Sequence, residues 1–284
     1  MTHPGSPFWV PSPALQRHLN RTATRHPEID WLSYVRALHL PAPLGRTLVI
    51  GCGSGDLERG LARKHGVGTI LAVDADPTAV ERARREAMRS GLADISYGVF
   101  DPERDPLPDG PWDAVIASDV LHHVLALEDL LARVRAVLSP AGRFVFSEYV
   151  GPNRFQYAEE RLELVQRYFR LLPERLRREP STGRTMWRRE RIDPARLERE
   201  RPAEAARSEA ILPLARRAFV PEAEYSGGGG LLHPVLSGLV QNFREGGTEE
   251  ERLLGVLCAA EEHLSASGLI DDAFCIFVGR KRMT

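Results

Sequence analysis

The sequence has little cysteine, no long apolar run and no excess of charge of either sign. Its three cysteines, Cys52, Cys258 and Cys275, show neither metal-site nor disulfide spacing, which favours a reducing, cytoplasmic environment. No segment has the length of a membrane span, and the Pro-rich start lacks the apolar core of an export signal. Since the charges of 38 basic and 39 acidic residues nearly cancel, nothing indicates a surface that binds a polyanion such as nucleic acid. We therefore expect no membrane and no nucleic-acid partner.

Short apolar segments alternate with helical ones in a chain of 284 residues, which fits one elaborated α/β domain better than two equal ones. Such alternation implies right-handed crossovers and a parallel sheet whose ligand lies at the carboxyl ends of the strands. Helices are predicted over Pro77–Arg89, where proline suits the first turn, and over 206–217, 231–243 and 249–266. The predicted strands lie at about 46–51, 69–73, 95–100, 112–117, 143–149, 218–225 and 273–279.

An apolar run, Leu48–Ile50, stops at three glycines spaced two apart and meets an amphipathic segment. This pattern predicts a strand, a tight loop and a helix with Asp56 as its N-cap, an arrangement typical of a nucleotide-type cofactor site. A dinucleotide loop would place its third small residue at position 56, where this chain would instead set a carboxylate against the pyrophosphate. A cofactor without phosphates is therefore favoured.

Asp74 ends the second predicted strand, about 20 residues past the glycine loop, where a carboxylate suits ribose hydroxyls. With Gly51, Gly53, Gly55, Asp74, Asp101 and the segment Asp119–Val124, residues 46–150 resemble class I S-adenosylmethionine (SAM)-dependent methyltransferases, specifically a small-molecule group with a lid inserted after strand five. The resemblance implies a Rossmann-like α/β fold of seven strands, with strand seven antiparallel between strands five and six. It also implies SAM as cofactor and S-adenosylhomocysteine as product.

The resemblance places cofactor contacts at the ends of the strands. Asp101 would accept from the adenine amino group while Phe100 borders the ring, the alternative for Asp101 being a turn before Pro102. Asp119 would lie near the sulfonium or orient a histidine, or else cap a helix. The predicted cofactor-binding residues are Gly51, Cys52, Gly53, Gly55, Asp74, Ala75, Phe100, Asp101 and Asp119.

His122 and His123 are the first polar pair after strand four, and the matching segment of the resembling family lines the cleft near the sulfonium. A histidine titrates near neutrality, so either ring could take a proton from a hydroxyl or amine as the methyl group arrives. The alternative is an imidazole that bonds a backbone carbonyl and positions the loop. Tyr149 is the third catalytic candidate, and we expect no metal.

The stretch from Glu148 to Tyr157 is dense in polar and aromatic groups where substrate loops emerge. Glu148, Arg154, Phe155 and Tyr157 are therefore predicted to bind the substrate. Tyr34 is added because the N-terminal segment of the resembling family often folds over the cofactor; the alternative is that it is a packing anchor.

Four regions are predicted: an N-terminal helical cap at 1–45, the SAM-binding core at 46–150, a helical lid at 151–205, and the rest of the core at 206–284. Pro41 and Pro43 are expected to end the helical cap region. Prolines cut the charged region 151–205 into short helices, and such a lid would sequester a small substrate from water. The alternative is a dimerisation element, which would give a homodimer. The four glycines at 227–230 suggest a hinge or linker.

These observations predict SAM-dependent methylation of a small molecule, with a hydroxyl of a sugar or secondary metabolite preferred and N- or C-methylation left open. The N-terminal segment, residues 148–157 and the tail are similar to a bacterial group associated with polysaccharide or secondary-metabolite genes. A non-catalytic SAM-binding protein is one alternative. A nicotinamide-dependent oxidoreductase is the other, disfavoured by Asp56 and by the His–His segment.

Overall fold

The computed structural model of the chain describes residues 12–40, 42–243 and 247–282. The Pro-rich start at 1–11 and Pro41, which was predicted to end the helical cap, lie outside the described residues. Seven strands form one mixed sheet: β1 Leu44–Ile50, β2 Val67–Asp74, β3 Ile95–Val99, β4 Trp112–Ser118, β5 Leu138–Tyr149, β6 Phe219–Gly228 and β7 Phe274–Lys281.

The strands are ordered β3-β2-β1-β4-β5-β7-β6 across the sheet. Strands β1 to β5 pair in parallel, whereas β7 runs antiparallel to both of its neighbours, β5 and β6. The predicted seven-stranded fold is therefore confirmed, including the antiparallel strand between β5 and β6. Because β1 has β2 on one side and β4 on the other, the carboxyl end of β1 lies at the point where the strand order reverses.

Ten helices flank the sheet or lie beyond it within the described residues: α1 Pro13–Thr24, α2 Trp31–His39, α3 Asp56–His65, α4 Pro77–Arg89, α5 Leu127–Val137, α6 Glu159–Phe169, α7 Pro194–Glu200, α8 Ser208–Ala218, α9 Leu232–Leu236 and α10 Thr248–Ala266. Helix α4 has the predicted bounds, since Pro77 opens it and Gly91, with a φ of 68°, follows its end. None of these described helices has both the length and the apolar composition that a bilayer span requires.

Alternate residues of β1 face opposite sides of the sheet, as the two-residue period of a strand requires. Leu48 and Ile50 join an apolar cluster with α5 and α8, while Val49 joins a second cluster with α2, α3 and α4. Both faces are covered by helices, which explains why the parallel strands are continuous apolar runs.

A third apolar cluster joins parts of the chain that are distant in sequence. Leu15 of α1, Phe169 of α6, Val235 of α9 and Leu257 of α10 belong to it. Helix α6 comes from the predicted lid, α1 from the predicted cap and α10 from the predicted C-terminal core. The four-region division stays a prediction, and the packing joins pieces of three of its regions.

Two predictions about the C-terminal part were wrong. The single helix predicted over 231–243 is interrupted at Gly238, whose φ of 73° is left-handed, so α9 is followed by a separate 3-10 turn at Val240–Asn242. The glycine run is not a linker, because Gly227 and Gly228 finish β6. A Cβ on Gly230 would lie 2.3 Å from the carbonyl oxygen of Asp271, so glycine permits close backbone packing here.

Candidate active site

The glycine loop is fastened to the end of β2 by backbone hydrogen bonds. The amides of Gly51 and Cys52 donate to the carbonyl oxygen of Val73 at 2.8 and 3.0 Å. The Gly53 amide donates to Asp74 Oδ2 at 2.8 Å, and the Asp76 amide donates to Asp74 Oδ1 at 2.9 Å. The carboxylate of Asp74 is thus held in one orientation beside the loop, with lone pairs left for further donors.

Gly51 brings the loop into contact with the segment that follows β4. Its φ is 80°, and a Cβ on it would lie 2.6 Å from Val120 Cβ. A Cβ on Gly53, by contrast, would have no heavy atom within 4 Å. Gly51 therefore serves close packing inside the protein, while Gly53 leaves its side of the loop open to a ligand, and Ala75 is exposed nearby in the chain.

The helix after the loop begins differently from the prediction. Gly55, with a φ of 85°, is the N-cap of α3, so the assignment of Asp56 as the cap was wrong. The left-handed turn requires glycine at that position. Asp56 is instead the first helical residue, and its carboxylate accepts from Ser54 Oγ at 2.7 Å and Arg59 Nη2 at 2.5 Å.

Glu58 lies buried beneath the same loop and was not singled out from the sequence. Burial raises the pKa of its carboxyl to about 7, against the opposing charge of Arg59. Burial, together with Glu58 and Asp74, also raises the pKa of the Cys52 thiol far above its usual range. Cys52 is therefore a packed, protonated residue of the loop.

Phe100 and Asp101 follow β3 at the same edge of the sheet. Phe100 is buried, and its amide donates to the carbonyl oxygen of Asp74 at 3.0 Å. Asp101 Oδ1 accepts from the Glu103 amide at 2.9 Å, and Oδ2 lies 3.7 Å from Arg104 Nε. The turn-forming role of Asp101 is thus present, and its contact with adenine stays a prediction.

Glu148 and His122 form a buried pair at the end of β5. Glu148 is fully buried, and its Oε1 accepts from the amides of Val120 and Leu121 at 2.6 and 2.7 Å. Its Oε2 lies 2.8 Å from His122 Nδ1. Burial lowers the pKa of His122, but the hydrogen bond and charge of Glu148, with Asp119, outweigh it and raise the pKa above the ordinary value.

Asp119 lies directly before this segment in a strained conformation. Its φ is 53°, and its amide donates to the carbonyl oxygen of Ser147 at 3.0 Å. Burial and the charge of Glu148 raise the pKa of its carboxyl to about 6. Asp119 therefore shares one electrostatic environment with the Glu148–His122 pair.

His123 lies close to the carboxylate of Glu204, which no pattern in the sequence indicates. Its Nδ1 lies 3.6 Å from Oε2 of Glu204, a residue with only 6% of its surface exposed, and its ring centroid is 4.0 Å from that of His122. Arg201 Nη1 lies 3.1 Å from the same Glu204 oxygen. No motif marks Glu204, because only tertiary packing brings the end of the predicted lid to the histidines.

Arg154 holds the loop that carries Glu204. Its guanidinium donates to the carbonyl oxygens of Arg201, Pro202 and Glu204 at 3.2, 2.6 and 3.2 Å. These bonds hold the loop in place through Arg154. The predicted contact of Arg154 with the substrate stays a prediction. The strained backbone gathers at this site, since four of the five described non-glycine residues with positive φ are Asp119, Arg154, Phe155 and Ala205.

Tyr149 and Tyr157 lie in an aromatic cluster beside His122. Tyr149 is 2% exposed, its hydroxyl donates to the carbonyl oxygen of Pro152 at 3.0 Å, and its ring centroid is 4.9 Å from that of Phe155. Burial raises its pKa far above the usual range, which disfavours the predicted role as a base. The Tyr157 hydroxyl lies 3.1 Å from His233 Nδ1.

Tyr34 lies apart from these residues. Its ring packs edge-on against Tyr225 of the edge strand β6, with centroids 5.4 Å apart. The packing alternative stated for Tyr34 thus has a concrete partner, and its contact with a substrate stays a prediction.

Comparison with known proteins identifies the part of the chain that carries the glycine loop and the histidines. Residues 48–146 match the methyltransferase domain family. These residues form a methyltransferase domain. The ribosomal protein L11 methyltransferase of Burkholderia mallei is 38% identical over 104 residues, which are 36% of this chain and 32% of that protein. The chain therefore spans about a third of the length of the curated relatives it matches.

Solved structures show the same fold over a larger part of the chain. The phosphoethanolamine N-methyltransferase 2 of Haemonchus contortus, solved with S-adenosyl-L-methionine, has a TM-score of 0.55 at 16% identity and covers 89% of this chain and 52% of its own. The [4+2]-cyclase SpnF has a TM-score of 0.52 at 14% identity and covers 100% of this chain and 89% of its own. At these identities the likeness shows the fold alone.

The residues of the methyltransferase domain suit SAM. Asp74 has a fixed carboxylate at the ribose position of the resembling family, and Gly53 leaves room beside it. The acids Asp119 and Glu148 lie at the histidine end, where negative charge favours a sulfonium.

Proposed function

We propose that this chain is a cytoplasmic enzyme that transfers the SAM methyl group to a hydroxyl of a small molecule. The observation that carries the proposal is the contact between Gly51 and Val120, because it sets the histidine segment directly against the cofactor loop. The methyl donor SAM and the acceptor molecule would then meet at this edge of the sheet. Holding two reactants at near-attack distance is the main contribution such a site can make.

Methyl transfer is an in-line displacement, in which the acceptor oxygen, the methyl carbon and the sulfur are aligned. An electron pair of the acceptor oxygen forms the new C–O bond, and the S–C bond breaks with its pair going to sulfur, which yields S-adenosylhomocysteine. The acceptor loses its proton. His122 is the residue we assign to that oxygen, because Glu148 engages Nδ1 and directs Nε2 away from itself. An imidazole can assist either by accepting the proton or by holding a cation against the oxygen.

The enclosure of His122 supports a small acceptor. The His122 side chain is only 11% exposed, and Glu204, on the loop that Arg154 holds, brings the end of the predicted lid to the neighbouring His123. Ribosomal protein L11 appears in the names of the relatives, and a protein acceptor is therefore the second candidate. That alignment covers 36% of this chain and 32% of the relative, which is too little to carry the acceptor of the relative over to this chain.

Calorimetric titration with SAM and S-adenosylhomocysteine tests the cofactor assignment. We expect the wild-type chain to bind both, and Asp74→Ala to weaken binding by about tenfold or more, since hydrogen bonds to a charged group contribute roughly 1.5–3 kcal/mol. Asp109→Ala, at an exposed position, is the matched control and should bind like the wild type. A wild-type chain that binds neither ligand would contradict the proposal.

Transfer of a labelled methyl group from SAM identifies the acceptor class. The acceptors compared are hydroxylated sugars, polyketides, amines and ribosomal protein L11. Label on a small hydroxylated compound, lost in His122→Ala, supports the proposal, and label on L11 alone favours the second candidate. SAM binding without transfer to any of them would favour the non-catalytic alternative.

A further inference from the structure

We propose that His122, His123 and Glu204 form a binding site for a divalent transition-metal ion at the acceptor end of the cleft. Metal binding there stands independently of the proposed function. The use of the ion, which is to hold the acceptor oxygen, rests on that function.

The donor set is the first argument. Each of the three residues offers one ligand atom, and these atoms lie within 4.8 Å of one another. Two imidazoles and one carboxylate suit zinc, iron(II), cobalt(II) or manganese(II), and they leave coordination positions open. Donors about 2.0–2.2 Å from a metal lie roughly 3.3 Å apart, so side-chain rotations that bring the ligand atoms closer by at most about 1.5 Å would complete the site.

The partner of His122 is the second argument. Histidines that ligate metals usually engage their other ring nitrogen with a carboxylate or carbonyl, which fixes the ring and its tautomer. Glu148 supplies this contact at 2.8 Å from Nδ1. Glu148 is itself locked by the Val120 and Leu121 amides, so the orientation of His122 is set before any ion arrives.

The charge around His122 is the third argument. Two carboxylates lie against the histidine pair, with Glu148 Oε2 at 2.8 Å from His122 Nδ1 and Glu204 Oε2 at 3.6 Å from His123 Nδ1. A divalent cation between the histidines and Glu204 would compensate this concentration of acids. The guanidinium of Arg201 now pairs with Glu204 at 3.1 Å and would have to move aside, which its 48% exposed side chain permits.

The arrangement of the ligands suggests what the ion does. Three protein ligands leave positions for an acceptor hydroxyl, and coordination makes a bound hydroxyl more acidic. The ion would hold the acceptor hydroxyl and make it easier for its proton to pass to solvent, while the new C–O bond forms and the S–C bond breaks with its electron pair going to sulfur. In this arrangement His122 acts as a ligand rather than as the base.

Titration of the full chain, freed of metal with a chelator, tests the site. Cobalt(II) is followed by its visible absorption and zinc(II) by calorimetry. We expect one ion per chain, with affinity weakened at least about tenfold in Glu204→Gln and in His123→Ala. Arg201→Ala should bind the ion more tightly, because the competing cation is gone. The exposed-site controls His26→Ala and Glu200→Gln should match the wild type.

Circular dichroism of each variant shows whether it folds. If His123→Ala does not fold, the conservative variant Glu204→Gln and the surface variant Arg201→Ala still test the metal site. Absence of binding to wild type, or equal binding by Glu204→Gln and wild type, would overturn the proposal. SAM titration of the metal-free chain keeps the two proposals apart. If the chain binds SAM but no metal, only the proposed metal site is contradicted. If it binds metal but not SAM, the proposed methyltransferase function is contradicted.

Discussion

At the scale of single residues, the site is defined by three carboxylates in different surroundings. Glu148 is fully buried and accepts three hydrogen bonds, Asp119 has a pKa raised to about 6, and Glu58 has a pKa raised to about 7 without a comparable set of donors. A buried carboxylate stays ionised where donors and cations surround it and takes up a proton where they do not.

Glu58 should therefore make the stability of the protein depend on pH. Its carboxyl has an ordinary pKa of 4.5, which applies to the unfolded chain, against about 7 in the fold. Between these values the unfolded state binds fewer protons, so stability falls as the pH rises, by roughly 3 kcal/mol in total. Glu58→Gln should lack this loss. Urea unfolding of wild type and variant from pH 4 to pH 8 measures the difference.

The matched control for this experiment is Glu163→Gln, at an exposed position of α6. Its unfolding free energy should follow the wild type across the same pH range. If the Glu58→Gln and wild-type curves run parallel, the carboxyl of Glu58 titrates alike in both states, and the assigned effect of burial is wrong.

At the scale of elements, the glycine loop and the segment after β4 depend on each other. The two follow the adjacent parallel strands β1 and β4, whose last pair is Ile50 with Ala117. The contact between Gly51 and Val120 therefore couples the cofactor side of the site to the histidine side.

Gly51→Ala tests this coupling. The added methyl group would lie 2.6 Å from Val120 Cβ at a φ of 80°, so both steric overlap and backbone strain oppose the fold. We expect a loss of about 2–4 kcal/mol in unfolding free energy and weaker SAM binding. Denaturant unfolding and calorimetry measure the two effects.

Gly53→Ala separates the effect of backbone strain from that of steric overlap with a neighbouring side chain. Its φ is 50°, and nothing lies within 4 Å of the added methyl group, so only the backbone strain of about 1 kcal/mol applies. Equal losses of stability in the two variants would show that the contact with Val120 is not what makes Gly51 necessary.

At the scale of the whole molecule, the helices beyond the sheet form a layer with its own apolar core. Phe169 is fully buried in the third cluster, among residues of α1, α9 and α10. The predicted lid at 151–205 thus shares a core with segments from both ends of the chain. We retain the lid as a proposal, with dimerisation as its alternative.

Phe169→Ala should loosen this layer. Removing a buried phenylalanine costs roughly 3–5 kcal/mol, and the loss should appear as faster amide exchange in α1, α6 and α10 ahead of β1 and β4. Hydrogen exchange read by mass spectrometry checks this, with Leu171→Ala, whose side chain is 55% exposed, as the control. Uniformly faster exchange in sheet and helices alike would contradict a separate layer.

The sequence by itself determined the alternation of strands and helices and the position of the glycine loop. It also determined that Asp74 and the histidine pair follow the ends of strands. Those features depend on local backbone preferences and on the apolar period of each segment, which neighbouring residues carry. The bounds of α4 follow from Pro77 and Gly91 alone, and the order of the sheet follows from the resemblance that the loop and Asp74 support.

Only the tertiary structure decided which side chains meet at the site. Glu148 reaches His122 because β4 and β5 are adjacent, and Glu204 reaches His123 because Arg154 fastens the loop that carries it. The glycines at 227–230 illustrate the same limit, since flexible composition suggested a linker while close packing against residues next to β7 requires glycine there. Side-chain pairing between distant segments depends on packing, which no local pattern of the sequence encodes.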